Sequence, residues 1–168
     1  GEKGKEKKKP TLWETIGKWE DMAAAVDFSD VPSKAERFAA LDLPALRREL
    51  EWLRGHLPSP ANGHDLSLLF GLPAVAAAGD TGRNAVRFAC AAVFGHNDLL
   101  SGNVLVEEGT EHVQIVDYEY GAFQFRAFDF ANHFCEYAGF DGNFEKWYPS
   151  AERQVEFLDV YLGASDPD

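Results

Sequence analysis

Two stretches of this chain carry residues whose types and spacing could do chemistry. One is the run His96-Asn97-Asp98-Leu99-Leu100-Ser101-Gly102-Asn103, and the other is Ile115-Val116-Asp117-Tyr118-Glu119-Tyr120, with Asp117 fourteen residues beyond Asn103. Four residues separate Asp98 from Asn103, so a short loop can present both side chains to one pocket. An apolar strand ending in Asp117 can add a third oxygen from the neighbouring backbone. A carboxylate to take a hydroxyl proton, beside hard oxygen donors for a divalent cation, suits phosphoryl transfer to an alcohol, which needs a positioned acceptor and charge to neutralise the phosphate oxygens. His-x-Asp-x4-Asn is the spacing of a phosphotransferase catalytic loop. On this reading Asp98 is the catalytic base and orients the substrate hydroxyl, while Asn103 and Asp117 are ligands of Mg²⁺. Glu119 lies two residues past Asp117 and faces the same side if the segment is extended, which leaves a place at the metal and a structural role both open. His96 is expected to hold the loop through backbone hydrogen bonds.

Those residues need a frame, and the flanking sequence supplies one. Val104 to Val106 reads as a strand, Glu107 to Glu111 as a turn, and Val113 to Val116 as a returning strand rich in β-branched residues. The hairpin would set Asn103 next to Asp117. Val93-Phe94 predicts a brief strand before the loop, preceded by a short helix over 83–92. After the hairpin, 128–138 reads as a helix and 150–162 as another, with Ser150 as N-cap and Val155, Leu158 and Leu162 on the inner face. Upstream, Leu12, Ile16, Trp19 and Ala23 recur at helical spacing over 11–26, with Pro10 ahead of Thr11. A second helix is expected over 42–57, where Asp42 is the N-cap, Pro44 lies in the first turn, and Leu46, Leu50, Leu53 and Leu57 form an apolar stripe. Residues 58–82 are rich in Pro, Gly, Asn, Asp and Ala and read as a loop-rich insertion, its His64-Asp65 pair as solvated surface.

Composition bounds the partners. The chain has 168 residues, 45% hydrophobic and 13% aromatic, which is globular rather than disordered. Its net charge is −12, and the basic linker at 1–10 carries +3 over residues 1–9, so the rest carries −15. An acidic body repels nucleic acid and anionic membrane and favours a cationic substrate such as an amine. Cys90 and Cys135 form no C-x-x-C pair and read as thiols of an intracellular protein. Neither a membrane span nor a secretory signal is evident, which makes a cytoplasmic location the expectation.

From Phe94 to Glu136 the chain resembles the choline/ethanolamine kinase family. The resemblance rests on the His96-Asn97-Asp98 loop, the Asp117-Tyr118-Glu119-Tyr120 segment and Phe128-Asp129-Phe130-Ala131-Asn132-His133-Phe134-Cys135-Glu136, in that order. The last two segments separate it from aminoglycoside phosphotransferases, which share the loop spacing. The resemblance implies an α+β fold: the large, C-terminal lobe of a protein-kinase-like enzyme, mostly helical with a small β-hairpin. Residues 11–168 would be part of that lobe. No glycine-rich loop or strand lysine is found before His96, so the small lobe is expected to be missing and this chain alone incomplete for activity.

The cofactors implied are ATP and Mg²⁺, and the partner is a small-molecule amino alcohol, with a homodimer left open. Glu136 resembles the family's acidic residue in the amine pocket, where a carboxylate beside aromatic rings receives an ammonium group. Tyr137 is the ring assigned with it, and Phe140, Trp147 and Tyr148 could serve either a cage or the core. Arg126 and Asp129 are read as a buried polar network. Gln124 stands where the family usually has Asn, and Gly95 where it usually has Cys. The function expected is ATP-dependent phosphorylation of ethanolamine to phosphoethanolamine in phosphatidylethanolamine synthesis. Choline kinase, and a non-catalytic kinase-like fragment acting as a binding module, remain the alternatives.

Overall fold

A computed structural model describes residues 9–59 and 64–165, so most of the expected basic linker lies outside the described residues. The chain divides into two compact units, one up to Ala92 and one from Val93 onward. No helix of the described residues is long and apolar enough to cross a membrane.

The first unit is helical. Helix α1 (Leu12–Ala24) buries Leu12 and Trp13, and the Trp13 indole Nε1 donates to the Pro58 carbonyl at 2.9 Å. Ser59, only 1% exposed, ties back with its hydroxyl to the Arg54 carbonyl at 2.7 Å. Helix α2 (Pro32–Ala39) falls where no element was expected. Its eight residues are too few for the periodicity to declare itself, and Pro32 in the first turn is the local signal that starts it. Helix α3 (Leu43–His56) begins as expected on Asp42, whose carboxylate accepts from the Ala45 amide at 3.1 Å. Of the leucine stripe, Leu50, Leu53 and Leu57 are half-buried and Leu46 is exposed. Arg54 of α3 donates to Glu20 of α1 at 3.1 Å, a partly exposed pair worth under about 1 kcal/mol.

Asp42 carries its cap in a left-handed conformation, φ 46°. Asp42→Ala therefore loses a cap worth about 1 kcal/mol and places a Cβ-bearing residue without a compensating polar side chain in αL. Asp42→Gly forfeits the cap but relieves the backbone. Urea denaturation should show the alanine variant about 1–2 kcal/mol less stable and the glycine variant closer to wild type.

The loop-rich insertion is a correction. Between 64 and 82 the chain forms α4 (Ser67–Phe70), α5 (Pro73–Ala77) and the first residues of α6 (Gly79–Ala89). The Pro and Gly residues taken as loop signals mark boundaries between short helices. Pro73 opens α5, Gly79 begins α6 at φ 60°, and a Cβ on Gly82 would collide with the Val75 carbonyl where α6 crosses α5. The Asp65 carboxylate accepts from the Ser67 amide at 2.9 Å and the Ser67 hydroxyl at 2.6 Å, which turns the chain into α4 and lowers the Asp65 pKa.

The second unit pairs β1 (Ala92–Gly95) with β4 (Ala122–Phe125), and β2 (Val104–Val106) with β3 (Val113–Ile115). The hairpin is antiparallel, as expected, with Val104 opposite Ile115 and Val106 opposite Val113. Strand β4 was not foreseen. Its residues, Ala122-Phe123-Gln124-Phe125, are too short a run to distinguish from the turn before it. Helix α7 (Arg126–Glu136) follows directly, then the short α8 (Phe144–Trp147) and α9 (Ala151–Ser165).

Ser150 sits at the start of α9 as expected, its Oγ 3.4 Å from the Arg153 amide. The inner face of α9 differs in part from the expectation, with Leu158 half-buried as expected. Val155 and Leu162 are exposed, while Phe157 and Tyr161 pack edge-on against Phe130 of α7 at 6.0 and 4.7 Å between ring centroids. Aromatic rings bury more area per residue than the aliphatic stripe and so decide which way the helix faces. The architecture is thus mixed helix with small sheets.

Candidate active site

The buried centre of the second unit is largely polar. Phe125, Phe134 and Ala138 are its buried apolar residues, beside buried His96, Asn97, Asn103 and Gln124 among the described residues. Three of those four polar residues belong to the run 96–103. Buried polar groups persist where they are hydrogen-bonded, and the bonds here define a rigid loop.

Two backbone amides anchor its start. The Asp129 carboxylate, from the first turn of α7, accepts from the His96 amide at 3.0 Å and the Asn97 amide at 2.7 Å. Hydrogen bonds to an ionised acceptor are the stronger kind. The expectation that Asp129 belongs to a polar network thus takes a definite form: it clamps the loop. Gly95 leaves room for this clamp, because a Cβ there would stand 2.9 Å from both Asp129 Oδ2 and Asn97 Oδ1.

His96 acts as expected through a backbone hydrogen bond. Its Nε2 donates to the Val116 carbonyl at 2.8 Å, which requires the Nε2–H form, and its ring lies 4.6 Å from that of Tyr118. Asn97, at φ 63°, donates its side-chain amide to the carbonyls of Tyr120 at 2.9 Å and Gly95 at 3.2 Å. The loop is therefore pinned at both sides of Asp117. Asn97 was not among the expected site residues, although asparagine's tolerance of αL is a signal for a loop position of this kind.

The candidate base and one candidate metal ligand come together directly. Asn103 Nδ2 donates to the Asp98 carbonyl at 2.9 Å and stands 3.5 Å from Asp98 Oδ2. The Asp98 carbonyl also accepts from the Leu100 amide at 2.9 Å, so the backbone curls tightly around that carbonyl. With its nitrogen so engaged, the Asn103 amide is left to ligate through Oδ1. Asn103 is joined to the second group by the hairpin: the Val116 amide donates to the Asn103 carbonyl at 3.0 Å. The next residue is Asp117, exposed and left-handed at φ 64°.

Glu119 does not lie on an extended segment. The Gly121 amide bonds the Tyr118 carbonyl at 2.8 Å, so Glu119 and Tyr120 occupy the middle of a turn. The side-sharing argument from alternation with Asp117 therefore fails here. The left-handed Asp117 breaks the strand first.

Among the described residues no three His, Cys, Asp or Glu side chains gather closely enough to hold a metal by themselves. The Asn103 and Asp117 pair still fits Mg²⁺, which keeps several waters and is held by one or two protein oxygens plus substrate phosphates rather than by an all-protein cage.

Glu136, half-buried, ends α7, and Tyr137 caps it. The Tyr137 ring stands edge-on to His133 at 5.4 Å. Glu156 and the Tyr137 hydroxyl both face the Arg153 guanidinium and hold its pKa above the ordinary value. Phe140 is fully exposed, and Trp147 and Tyr148 are about half exposed. These rings form no closed cage around Glu136 in this structure. His133 itself was read only as part of a motif, but its Nδ1 donates to the Leu99 carbonyl, next to Asp98, at 2.6 Å.

The second unit thus carries a polar loop that is clamped by a helical carboxylate and joined through Asn103 to the end of a short hairpin. Comparison with known proteins gives the family. The family model for choline/ethanolamine kinase matches residues 2–168, and the chain belongs to that family. An Arabidopsis thaliana protein named "Probable ethanolamine kinase" is 33% identical over 161 residues, 96% of this chain and 35% of its own length. A Dictyostelium discoideum protein, "Probable ethanolamine kinase A", is 32% identical over 92% of this chain and 36% of its own length. Among solved structures, an ethanolamine kinase of Plasmodium vivax matches with a TM-score of 0.61 and 27% identity, over 96% of this chain and 36% of that one. The chain spans about a third of the length of the curated relatives it matches.

Proposed function

We propose that the protein phosphorylates ethanolamine with ATP as donor. The observation that carries this reading is the single bonded unit in which Asn103 holds the Asp98 backbone while Val116, just before Asp117, holds Asn103. It supports reading Asp98 as the base and Asn103 and Asp117 as oxygen donors that act together. The relatives named as ethanolamine kinases support ethanolamine as the acceptor ahead of choline.

In this mechanism Glu136 pairs with the substrate ammonium, with Tyr137 alongside. Asp98 orients the hydroxyl and accepts its proton as the oxygen attacks the γ-phosphorus. The bond from that phosphorus to the bridging oxygen breaks, and ADP leaves. Asn103 and Asp117 would hold Mg²⁺, and the ion would supply neutralisation of the phosphate oxygens. The chain would form part of the large lobe of a kinase-like fold. Cys90 and Cys135 are free thiols, which accords with a reducing setting, and a cytoplasmic supply of phosphoethanolamine for phospholipid synthesis belongs to the same proposal.

The test is coupled ADP release by the whole natural gene product with ATP, Mg²⁺ and either amine. Ethanolamine-dependent turnover exceeding that with choline is the expected result, and absence of turnover with both in a folded protein would replace the enzyme by a binding module. In the same assay Asp117→Ala should lower kcat at least about 100-fold at saturating ATP and raise the Mg²⁺ concentration needed for half-maximal rate. An unchanged magnesium titration would remove Asp117 from the metal site.

A further inference from the structure

We infer that His133 is a positioning residue for the loop bearing Asp98, acting through its hydrogen bond to the Leu99 carbonyl; the catalytic consequence rests on the kinase function proposed above. The bond is short, 2.6 Å from Nδ1 to the carbonyl oxygen, and it reaches across 34 positions from α7 to the residue immediately after Asp98. A carbonyl can only accept, so Nδ1 carries the proton, and the bond persists whether the imidazole is neutral or charged.

The ring is held from several sides. Phe157 of α9 lies tilted against it at 4.8 Å and 31°, while Tyr137 meets it edge-on at 5.4 Å and 82°. Phe157 is itself set by edge contacts with Phe130 and Phe134. A donor with so few orientations open to it fixes the acceptor it touches.

The position of His133 gives the bond a second meaning. Glu136 and Tyr137 follow it by three and four residues in sequence, one turn along α7 and its cap. The helix turn proposed to receive the amine is thus bonded directly to the loop proposed to receive the hydroxyl proton. Asp129 sits one turn earlier on α7 and clamps His96 and Asn97. Asp98 is therefore bracketed, with Asp129 holding the two residues before it and His133 the one after. Neither contact touches a reacting atom. Their shared effect is to set the Asp98 carboxylate relative to α7.

Two variants separate this role from ring packing. His133→Asn keeps a side-chain N–H near the Nδ1 position, whereas His133→Leu keeps apolar bulk and removes the donor. In the whole gene product, His133→Leu is expected to lower kcat with ethanolamine about tenfold or more while the KM for ATP stays within about twofold. His133→Asn should recover most of the rate without moving the pH profile. Equal losses in both variants, or no loss in either, would overturn the inference. So would a pH profile displaced in the asparagine variant, since that marks His133 as an acid or base.

Amide hydrogen exchange over residues 97–103 reads the same contact without catalysis. His133→Leu should exchange several-fold faster there than wild type, and His133→Asn near wild type. If wild type phosphorylates neither amine yet this exchange pattern holds, the kinase reading fails and the positioning role of His133 stands. If wild type is active but exchange in His133→Leu is unchanged, the positioning role fails alone.

Discussion

Asp98→Ala is expected to lower kcat for ethanolamine phosphorylation about 1,000-fold, within the range general-base removal produces, with little change in stability. The structure separates these effects. What binds Asp98 into the fold is its carbonyl, which accepts from Asn103 Nδ2 and the Leu100 amide at 2.9 Å each. Both bonds survive truncation of the side chain. Among the described residues the carboxylate itself makes only a long approach of 3.5 Å to Asn103, whose loss is worth well under about 1 kcal/mol. Asp98→Asn, which preserves shape but cannot take the proton, should fall nearly as far. The check is kcat beside a thermal melt for each variant. A rate within tenfold of wild type in a protein of unchanged melting temperature would reassign the base.

Asp129→Ala should give the opposite profile, with stability and rate lost together. Its carboxylate satisfies the amides of His96 and Asn97, residues 6% and 9% exposed, so truncation strands two buried donors away from water. At about 1–3 kcal/mol for each unsatisfied group, the variant should unfold with about 2–6 kcal/mol less free energy in urea. Turnover of the folded fraction should also fall, because the two residues before Asp98 lose their anchor. Asp129→Asn is expected to be intermediate: its amide oxygen can serve one N–H, but its NH₂ faces the other. An alanine variant within about 0.5 kcal/mol of wild type would show that the clamp bonds are replaced by solvent.

Both expectations draw on residues of different legibility. Asp98, Asn103 and Asp117 stand out in the sequence because their types and spacing are unusual and short-range. Four residues between an acid and an amide make one tight loop, and Asn103 does reach the Asp98 backbone. The hairpin that brings Val116 to Asn103 was readable for a similar reason, since β-branched runs on either side of a Gly-containing turn encode a local pairing. The N-caps Asp42 and Ser150 belong to the same kind of local information.

Contacts over long sequence separations were not readable. Asp129 was read into a polar network, but that its carboxylate takes the amides 32 and 33 positions earlier shows only in the folded chain. His133 and Asn97 were passed over because neither composition nor period says which distant carbonyl a buried side chain will meet. Glu119 misled for a related reason: alternation assumes an extended strand, and the left-handed Asp117 ends it. The face of α9 was settled by ring packing among Phe130, Phe134, Phe157 and Tyr161 rather than by the aliphatic stripe.

By itself, then, the sequence determined the family, the local hairpin and the identities of the loop's candidate acid and amide, because each is written within a few neighbouring residues. Only the tertiary structure decided how that loop is held. Its rigidity comes from α7 side chains bonding backbone groups more than thirty residues away, and hydrogen-bond geometry at that separation exists only once the chain has folded.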